Sequence, residues 1–350
     1  MQRCEPPMPS PAAPPAAASG DPLLRDILDQ PRALTAALGA HAAAGQAARL
    51  LGEAERVLWS GMGASLFASY PAHLRLLAGG TASIWLEAGE LLHAAPTALR
   101  AGTLLVLVSQ SGRSAEVVRL LERRGGARIL GLTNDASSPL AQGADVHLPL
   151  MAGPEEAGVA TKTLTCSLLV CDLLTGGDPG DWPPVIASLQ GMLARRATWL
   201  PELLAVLRPV GPVWLLGRGP LLAAAAVGGL MLKEAAGVHG EGLSAPQFRH
   251  GPLELAGPGK SALVLVSPGP LGRHDLDLAG EMAEAGMGVV AVCPEGAPTA
   301  APASVHVLPW PSARPASVVL AIQCLAHELA RRQGRVPGTF SRIGKVTTKE

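Results

Sequence analysis

The chain has 350 residues, enough for two domains of ordinary size, and its 28 basic and 28 acidic side chains cancel to a formal net charge of zero. With three Phe and one Tyr, it offers neither a basic footprint nor a stacking platform for nucleic acid, so a small soluble ligand is the expected partner. The five cysteines form no CxxC pair, and Cys166, Cys171, Cys293 and Cys324 fall in or beside apolar segments, which points to a reducing cytoplasmic setting.

Residues 1–20 are Pro/Ala low complexity with no continuous apolar run; they are expected to be disordered and to carry no export signal. From Asp21 onward, Leu24, Ile27, Leu28, Leu34, Leu38, Leu50 and Leu51 predict two helices interrupted near Pro31. Strands then alternate with helices: VLWSGMG (57–63), SIWLEAG (83–89), TLLVLVSQSG (103–112), RILGLTND (128–135) and VHLPLMAG (146–153). That alternation predicts a doubly wound parallel sheet. The turn-rich stretch Gly176 to Pro184 marks a boundary, followed by a connecting helix from Val185 to about Leu207.

The second half repeats the first. VWLLGRG at 213 answers VLWSGMG at an offset of 156, ALVLVSPG at 262 answers LLVLVSQSG at 158, VVAVCP at 289 answers ILGLTN at 160, and VHVLP at 305 answers VHLPL at 159. The expected fold is α/β, two tandem doubly wound parallel-sheet, flavodoxin-like domains related by internal repeat. They span 21–178 and 179–335, with a C-terminal tail 336–350. The apolar run Leu221 to Leu232 is too short and too rich in small residues to cross a bilayer, so no membrane anchoring is expected.

The chemistry concentrates in Leu104 to Leu121, where a buried-type strand passes through Ser109, Gln110, Ser111, Gly112 and Ser114 into an amphipathic helix. Hydroxyls, an amide and the unpaired N–H groups of a helix N-terminus together favour a bound phosphate. A Ser-rich turn that merely caps its own helix fits these residues equally. The counterpart Ser267 to Pro270 lacks the Gln and the second Ser, so one phosphate site per chain is expected. Gly61-Met62-Gly63 and Gly217-Arg218-Gly219 have Leu where a dinucleotide fingerprint needs its third Gly. Gly259-Lys260-Ser261 precedes a strand and is no P-loop, and no cluster completes His239 and Glu241 as metal ligands, so neither cofactor nor metal is expected.

In order and spacing, LRDILDQPRAL (24–34), SQSGRSAEV (109–117), PEEAGVATKT (154–163), GRGPLLAAAAVGGLMLKEAAGVHGEGLSAPQFRHGPLEL (217–255) and GKVTTKE (344–350) resemble the sugar isomerase (SIS) family. Within it they are similar to the isomerase half of glutamine–fructose-6-phosphate aminotransferase and to amino-sugar-phosphate deaminases. The resemblance implies phosphate contacts at Ser109, Gln110, Ser111, Ser114 and Thr161, and further substrate contacts at Ser60, Gly61, Gly63, Arg113 and Ala160. It also implies Glu234 as the base, His250 as the ring-opening group and Lys345 at the open-chain carbonyl, as a Schiff base or a positioning cation. Leu230, Met231, Leu232, Ala235 and Ala236 surround Glu234 with apolar surface that could raise its pKa. Arg113 in place of Glu is expected to strengthen anion binding or to select a more acidic substrate, and Gly61-Met62-Gly63 to lack one hydroxyl contact.

Met231 for Lys and Gln247 for Glu imply a changed substrate orientation. The resemblance further implies a homodimer with shared active sites and a C-terminal tail that closes over the site. Because the sequence begins Met1-Gln2 without a glutaminase half, the expected reaction is conversion of glucosamine 6-phosphate, or a close relative, to fructose 6-phosphate and ammonia. A fructosamine-6-phosphate deglycase, a glutaminase-less aminotransferase-like enzyme and a non-catalytic sugar-phosphate sensor are the alternatives.

Overall fold

The computed structural model describes residues 20–41, 45–207, 211–298 and 300–347; the predicted disordered segment, Gly20 apart, lies outside them. Three helices, Pro22–Leu28, Gln30–His41 and Gly45–Glu53, stand where two were expected. The expected interruption falls at Asp29, with Pro31 in the first turn of the second helix, where its missing N–H costs nothing; the additional division lies between His41 and Gly45.

Among the described residues, ten strands form two parallel five-stranded sheets. The first contains β1 (Arg56–Gly61), β2 (Ser83–Trp85), β3 (Thr103–Val108), β4 (Arg128–Thr133) and β5 (Val146–Pro149) in the order β2-β1-β3-β4-β5. The second contains β6 (Val213–Gly217), β7 (Gly240–Ser244), β8 (Ser261–Leu265), β9 (Gly288–Pro294) and β10 (His306–Trp310) in the order β7-β6-β8-β9-β10. Every residue of β3 is buried, as a parallel strand covered on both faces must be. In each sheet the order reverses next to the first strand, between β1 and β3 and between β6 and β8, and such switch points open a crevice at the carboxyl ends.

Strand pairing moves the match of β3 with β8 one residue from the match of their letters and leaves that of β4 with β9, Arg128 against Gly288, where the letters put it. Val57 lies opposite Leu104 and Val213 opposite Ser261, so Leu104 corresponds to Ser261 and not to Ala262. Strands buried on both faces carry no alternation to fix register, and identity alone slid the match. The connecting helix is also two helices, Trp182–Ala194 and Arg196–Val206, turned at Arg195.

β7 was not expected, since Gly240, Glu241 and Gly242 have little strand propensity. It forms because the helix Leu221–Met231 lies directly on it: a Cβ on Gly242 would stand 2.2 Å from the Ala225 carbonyl oxygen, and one on Gly229 would stand 2.5 Å from the Gly242 nitrogen. The same helix packs on the helices Gly63–Ala78 and Pro315–Arg332, and one buried cluster runs from Leu23 to Ala330 through both sheets. The small residues of Leu221 to Leu232 thus serve close packing within the protein. Among the described residues no helix is long and apolar enough to cross a membrane. Cys166, Cys171, Cys293 and Cys324 are free thiols.

Gly242→Ala is expected to cost about 3 kcal/mol by overpacking. Gly39→Ala, where a Cβ meets nothing within 4 Å, should stabilise slightly as a helix-interior Gly replacement. Urea unfolding midpoints of the two variants check this.

Candidate active site

A cavity of about 300 Å³ opens at the carboxyl ends of β1 and β3. The turn after β1 contributes Met62, Gly63 and Ser65, and the turn after β3 contributes Ser109, Gln110, Ser111 and Ser114. Glu155, Gly158 and Ala160 come from the loop after β5, Leu230 and Glu234 from the second half, and Phe340, Lys345 and Thr347 from the tail.

Within the turn after β3, the Ser109 hydroxyl oxygen accepts from the Gly112 N–H at 3.1 Å and that of Ser111 accepts from the Arg113 N–H at 3.2 Å. Both hydroxyls keep their own protons to donate. Ser114 is the N-cap of the helix Ala115–Glu122, yet its side chain makes no capping bond, and the Gln110 amide makes no hydrogen bond to a described residue. The Ala115 N–H donates to the Thr347 carbonyl of the tail at 3.1 Å. The turn therefore presents donors to the cavity beyond those it needs to close itself. Gly112, at φ +62°, does approach closely, but toward the next loop: a Cβ there would stand 2.3 Å from the Ser138 hydroxyl oxygen.

Several expected contacts lie elsewhere. The Arg113 guanidinium donates to Asp135 at 2.8 and 3.1 Å and to the Ser137 hydroxyl at 3.0 Å, and it does not line the cavity. Hydrogen bonds from Ser137 and Arg113 hold the Asp135 carboxyl down at about 2, so this carboxylate captures the guanidinium that was expected to meet an anion. Thr161 is fully buried, with its N–H and hydroxyl both donated to Glu155 Oε1 at 2.9 and 3.2 Å. Ser60 and Gly61 end β1 beneath the cavity: Ser60 is fully buried, and a Cβ on Gly61 would meet the Val108 carbonyl at 2.5 Å. Gly63 and Ala160 do line it, and Ser65 supplies a hydroxyl at the turn expected to lack one.

Glu234 arrives by a change of helix type. The helix Leu221–Met231 runs on as a π turn, Leu232–Ala236, ended by Gly237 in the left-handed region at φ 64°. Such turns re-aim a side chain and recur at functional sites. The Glu234 carboxylate has no hydrogen bond or ion pair to a described residue, and Leu232, Ala235 and Ala236 around it are buried. Burial pushes its carboxyl up to about 7 against the opposing charge of Lys233, the direction expected from its apolar neighbours.

Lys345 Nζ donates to the Ala157 carbonyl at 2.7 Å and to the Glu155 carbonyl. His250 is not brought to this group. Edge strand β7 and the short helix Ala245–Phe248 carry it outward, where it is exposed and away from the cavity of its own chain. Met231 is buried in the core and Gln247 is exposed, and neither lines the cavity.

Two acidic residues escaped the sequence reading. Glu116, buried in the first turn after Ser114, lines the cavity, as does Glu155, whose carboxylate accepts from Thr161 and Thr163. Glu155 was legible in PEEAGVATKT as an acid placed just before a Thr-rich helix start. Among the described residues no group of three or more His, Cys, Asp or Glu is placed to hold a metal. A carboxylate that titrates near neutrality, an ammonium and a donor-rich turn in one cavity suit proton transfer on an anionic substrate.

A family model described as "SIS domain" matches residues 50–175. The glutamine–fructose-6-phosphate aminotransferase of Aeropyrum pernix is 31% identical over 94% of this chain and 57% of its own length; that of Pyrococcus horikoshii is 31% identical over 72% of this chain and 44% of its own. The chain thus spans about half the length of these relatives. Among solved structures, the C-terminal domain of the Francisella tularensis glucosamine-fructose-6-phosphate aminotransferase superposes with a TM-score of 0.80 at 20% identity, covering 89% of this chain and 96% of that one. The Escherichia coli tagatose-6-phosphate ketose/aldose isomerase gives 0.80 at 20% identity over 93% and 97%. The Thermotoga maritima glucosamine-6-phosphate deaminase gives 0.73 at 20% over 94% and 100%. At these identities the likeness is one of fold.

The raised Glu234 carboxyl has a consequence for stability. Below its ordinary value of 4.5 the group is protonated both folded and unfolded; above 4.5 the unfolded chain ionises first, so stability falls until the folded group ionises near 7. Glu234→Gln should therefore raise Tm at pH 8 and leave it unchanged at pH 4, read by thermal unfolding at both values.

Proposed function

We propose that this chain belongs to the SIS domain family and is a phosphosugar isomerase whose substrate is an amino-sugar phosphate, with glucosamine 6-phosphate the first choice. The observation that carries the reading is one cavity that holds the donor-rich turn after β3, Lys345 and Glu234, which has no partner among the described residues. The phosphate takes the hydroxyls and N–H groups at the start of the helix Ala115–Glu122, where the helix dipole favours an anion. Glu234, as carboxylate, removes the proton from C2 of the open-chain aldose and returns it to C1. That shift converts the C1 aldehyde and C2 amine into a C1 alcohol and a C2 ketimine. Water adds to the ketimine, and ammonia leaves to give fructose 6-phosphate. Lys345 faces the developing charge at the former carbonyl oxygen as a cation, consistent with an amino group already donating to two carbonyls.

His250 completes the set from a neighbouring copy in a homodimer, in keeping with its exposed position at the edge of the second sheet. The matching strand orders of the two sheets support their reading as a duplicated unit, divided near residue 178. The reaction is assigned to the cytoplasm, where phosphorylated sugars and free thiols coexist.

Incubation with glucosamine 6-phosphate should release fructose 6-phosphate and ammonia in equal amounts; release of neither overturns the assignment. Glu234→Gln should lower kcat by about a thousandfold, in the range for loss of a general base, while glucosamine 6-phosphate still raises its Tm. For the parent protein kcat should fall as pH drops through about 7, where Glu234 takes up its proton; a rate flat from pH 8 to 6 would remove Glu234 from the role.

A further inference from the structure

The segment LRDILDQP (24–31) carries part of the family resemblance, yet none of its residues lines the cavity. Its centre is Asp26, which is 3% exposed in the helix Pro22–Leu28. One oxygen of this carboxylate, Oδ2, accepts from the N–H groups of both Glu156 and Ala157 at 2.8 Å. The other, Oδ1, lies 3.3 Å from Lys162 Nζ, which also donates to Asp29 at 2.8 Å.

The peptide joining Glu155 to Glu156 is trans, so its N–H and C=O point in opposite directions. Its N–H is on Asp26 and its C=O is on Lys345 Nζ. A buried carboxylate, a peptide dipole and an ammonium therefore lie in sequence, each polarising the next. The second acceptor of Lys345, the Ala157 carbonyl, belongs to the residue whose own N–H is also on Asp26. Beyond it the Gly158 N–H is held by the Gly338 carbonyl at 2.8 Å. Lys345 itself lies in an exposed tail, so its ammonium is placed by these two carbonyls; Asp26 holds the peptide that carries the first and the N–H of the residue that carries the second.

We infer that Asp26 is a positioning residue for Lys345, acting across the Glu155–Glu156 peptide from the first helix of the fold. The inference rests on the reading of Lys345 as the cation at the substrate carbonyl, and its test includes a readout independent of turnover. A buried ion pair that merely supports the fold would change stability and spare the behaviour of Lys345.

The full chain is prepared as Asp26→Asn, Asp26→Glu, Lys345→Ala and the Asp26→Asn/Lys345→Ala double variant. Acetylation by acetic anhydride is followed residue by residue by mass spectrometry. Loss of the clamp should raise Lys345 labelling about fivefold in Asp26→Asn, with Lys260 as the unchanged control, because an amino group released from its two carbonyl acceptors is more accessible to the reagent. With glucosamine 6-phosphate, Asp26→Asn should lower kcat about tenfold at nearly constant KM, the scale of a displaced catalytic group. In the Lys345→Ala background it should lower kcat no further. Asp26→Glu, which restores a carboxylate, should recover most of both effects.

A folded Asp26→Asn that leaves Lys345 labelling unchanged overturns the inference, and so does an equal loss of kcat with and without Lys345. Should Asn fail to fold, Asp26→Ser, which keeps an oxygen acceptor without the charge, replaces it under the same criteria. Full turnover in Lys345→Ala would instead sink the reading of Lys345. Without any turnover, the labelling experiment still decides the position of Asp26.

Discussion

Backbone lies on backbone where the helix Leu221–Met231 meets β7, and the position of Glu234 follows from that contact. Each glycine in a helix interior costs about 1 kcal/mol relative to alanine, so Gly228 and Gly229 are there for what they admit. A Cβ on Gly228 would stand 2.5 Å from the Leu215 side chain, and one on Gly229 would strike β7 itself. With the helix sunk this far, its other side reaches the first half: Leu230 stands 3.4 Å from the place a Cβ on Gly63 would take. The π turn that follows then opens into a cavity whose donors belong to the other sheet. A bulkier helix would stand off from β7 and carry the carboxylate out of register with the turn after β3.

The electrostatics of the cavity depend on charges that are kept unpaired. Had Lys345 met Glu234 directly, the ion pair would hold the carboxyl low. Its ammonium is satisfied by neutral carbonyl oxygens, and Glu234 is left with burial as the dominant influence. The one strongly basic side chain in the donor turn is likewise spent, since Arg113 is bound to Asp135. A fixed guanidinium beside the cavity would have drawn Glu234 toward permanent ionisation at a distance set by screening.

What could be read without coordinates followed the periodic and the punctuated. The runs that became β1, β3, β4 and β5 were visible because apolar β-branched stretches ended in Gly, Asn or Ser turns, and their alternation with helices pointed to a parallel sheet. β7 was invisible because its existence depends on glycines that admit a helix, a tertiary reason with no local signature. The turn after β3 was legible as a cluster of small polar residues, and Glu234 and Lys345 through resemblance; the cavity joins all three. Arg113 and Thr161 lie off the cavity lining because each side chain has a nearer partner in this chain, Asp135 or Glu155, a competition that shows only once the chain is folded. Ser60 and Gly61 are held beneath the cavity by the pairing of β1 with β3. The direction of His250 was equally hidden, because it depends on an edge strand that was not foreseen.

One contact described above couples two ends of the molecule. The Ala115 N–H, the first free donor of its helix, is already given to the carbonyl of Thr347. An anion that takes this donor must first displace the tail, so its apparent affinity is its intrinsic affinity multiplied by the fraction of molecules in which the tail has let go. The coupling is reciprocal: whatever holds the Thr347 carbonyl on this donor weakens an anion there, and an anion there frees Thr347 while leaving the two carbonyls that hold Lys345 in place. Residue 347 thus behaves as a tethered competitor with a local concentration fixed by the chain that bears it, and shortening or stiffening residues 338–347 would retune affinity at a turn more than two hundred residues away in sequence.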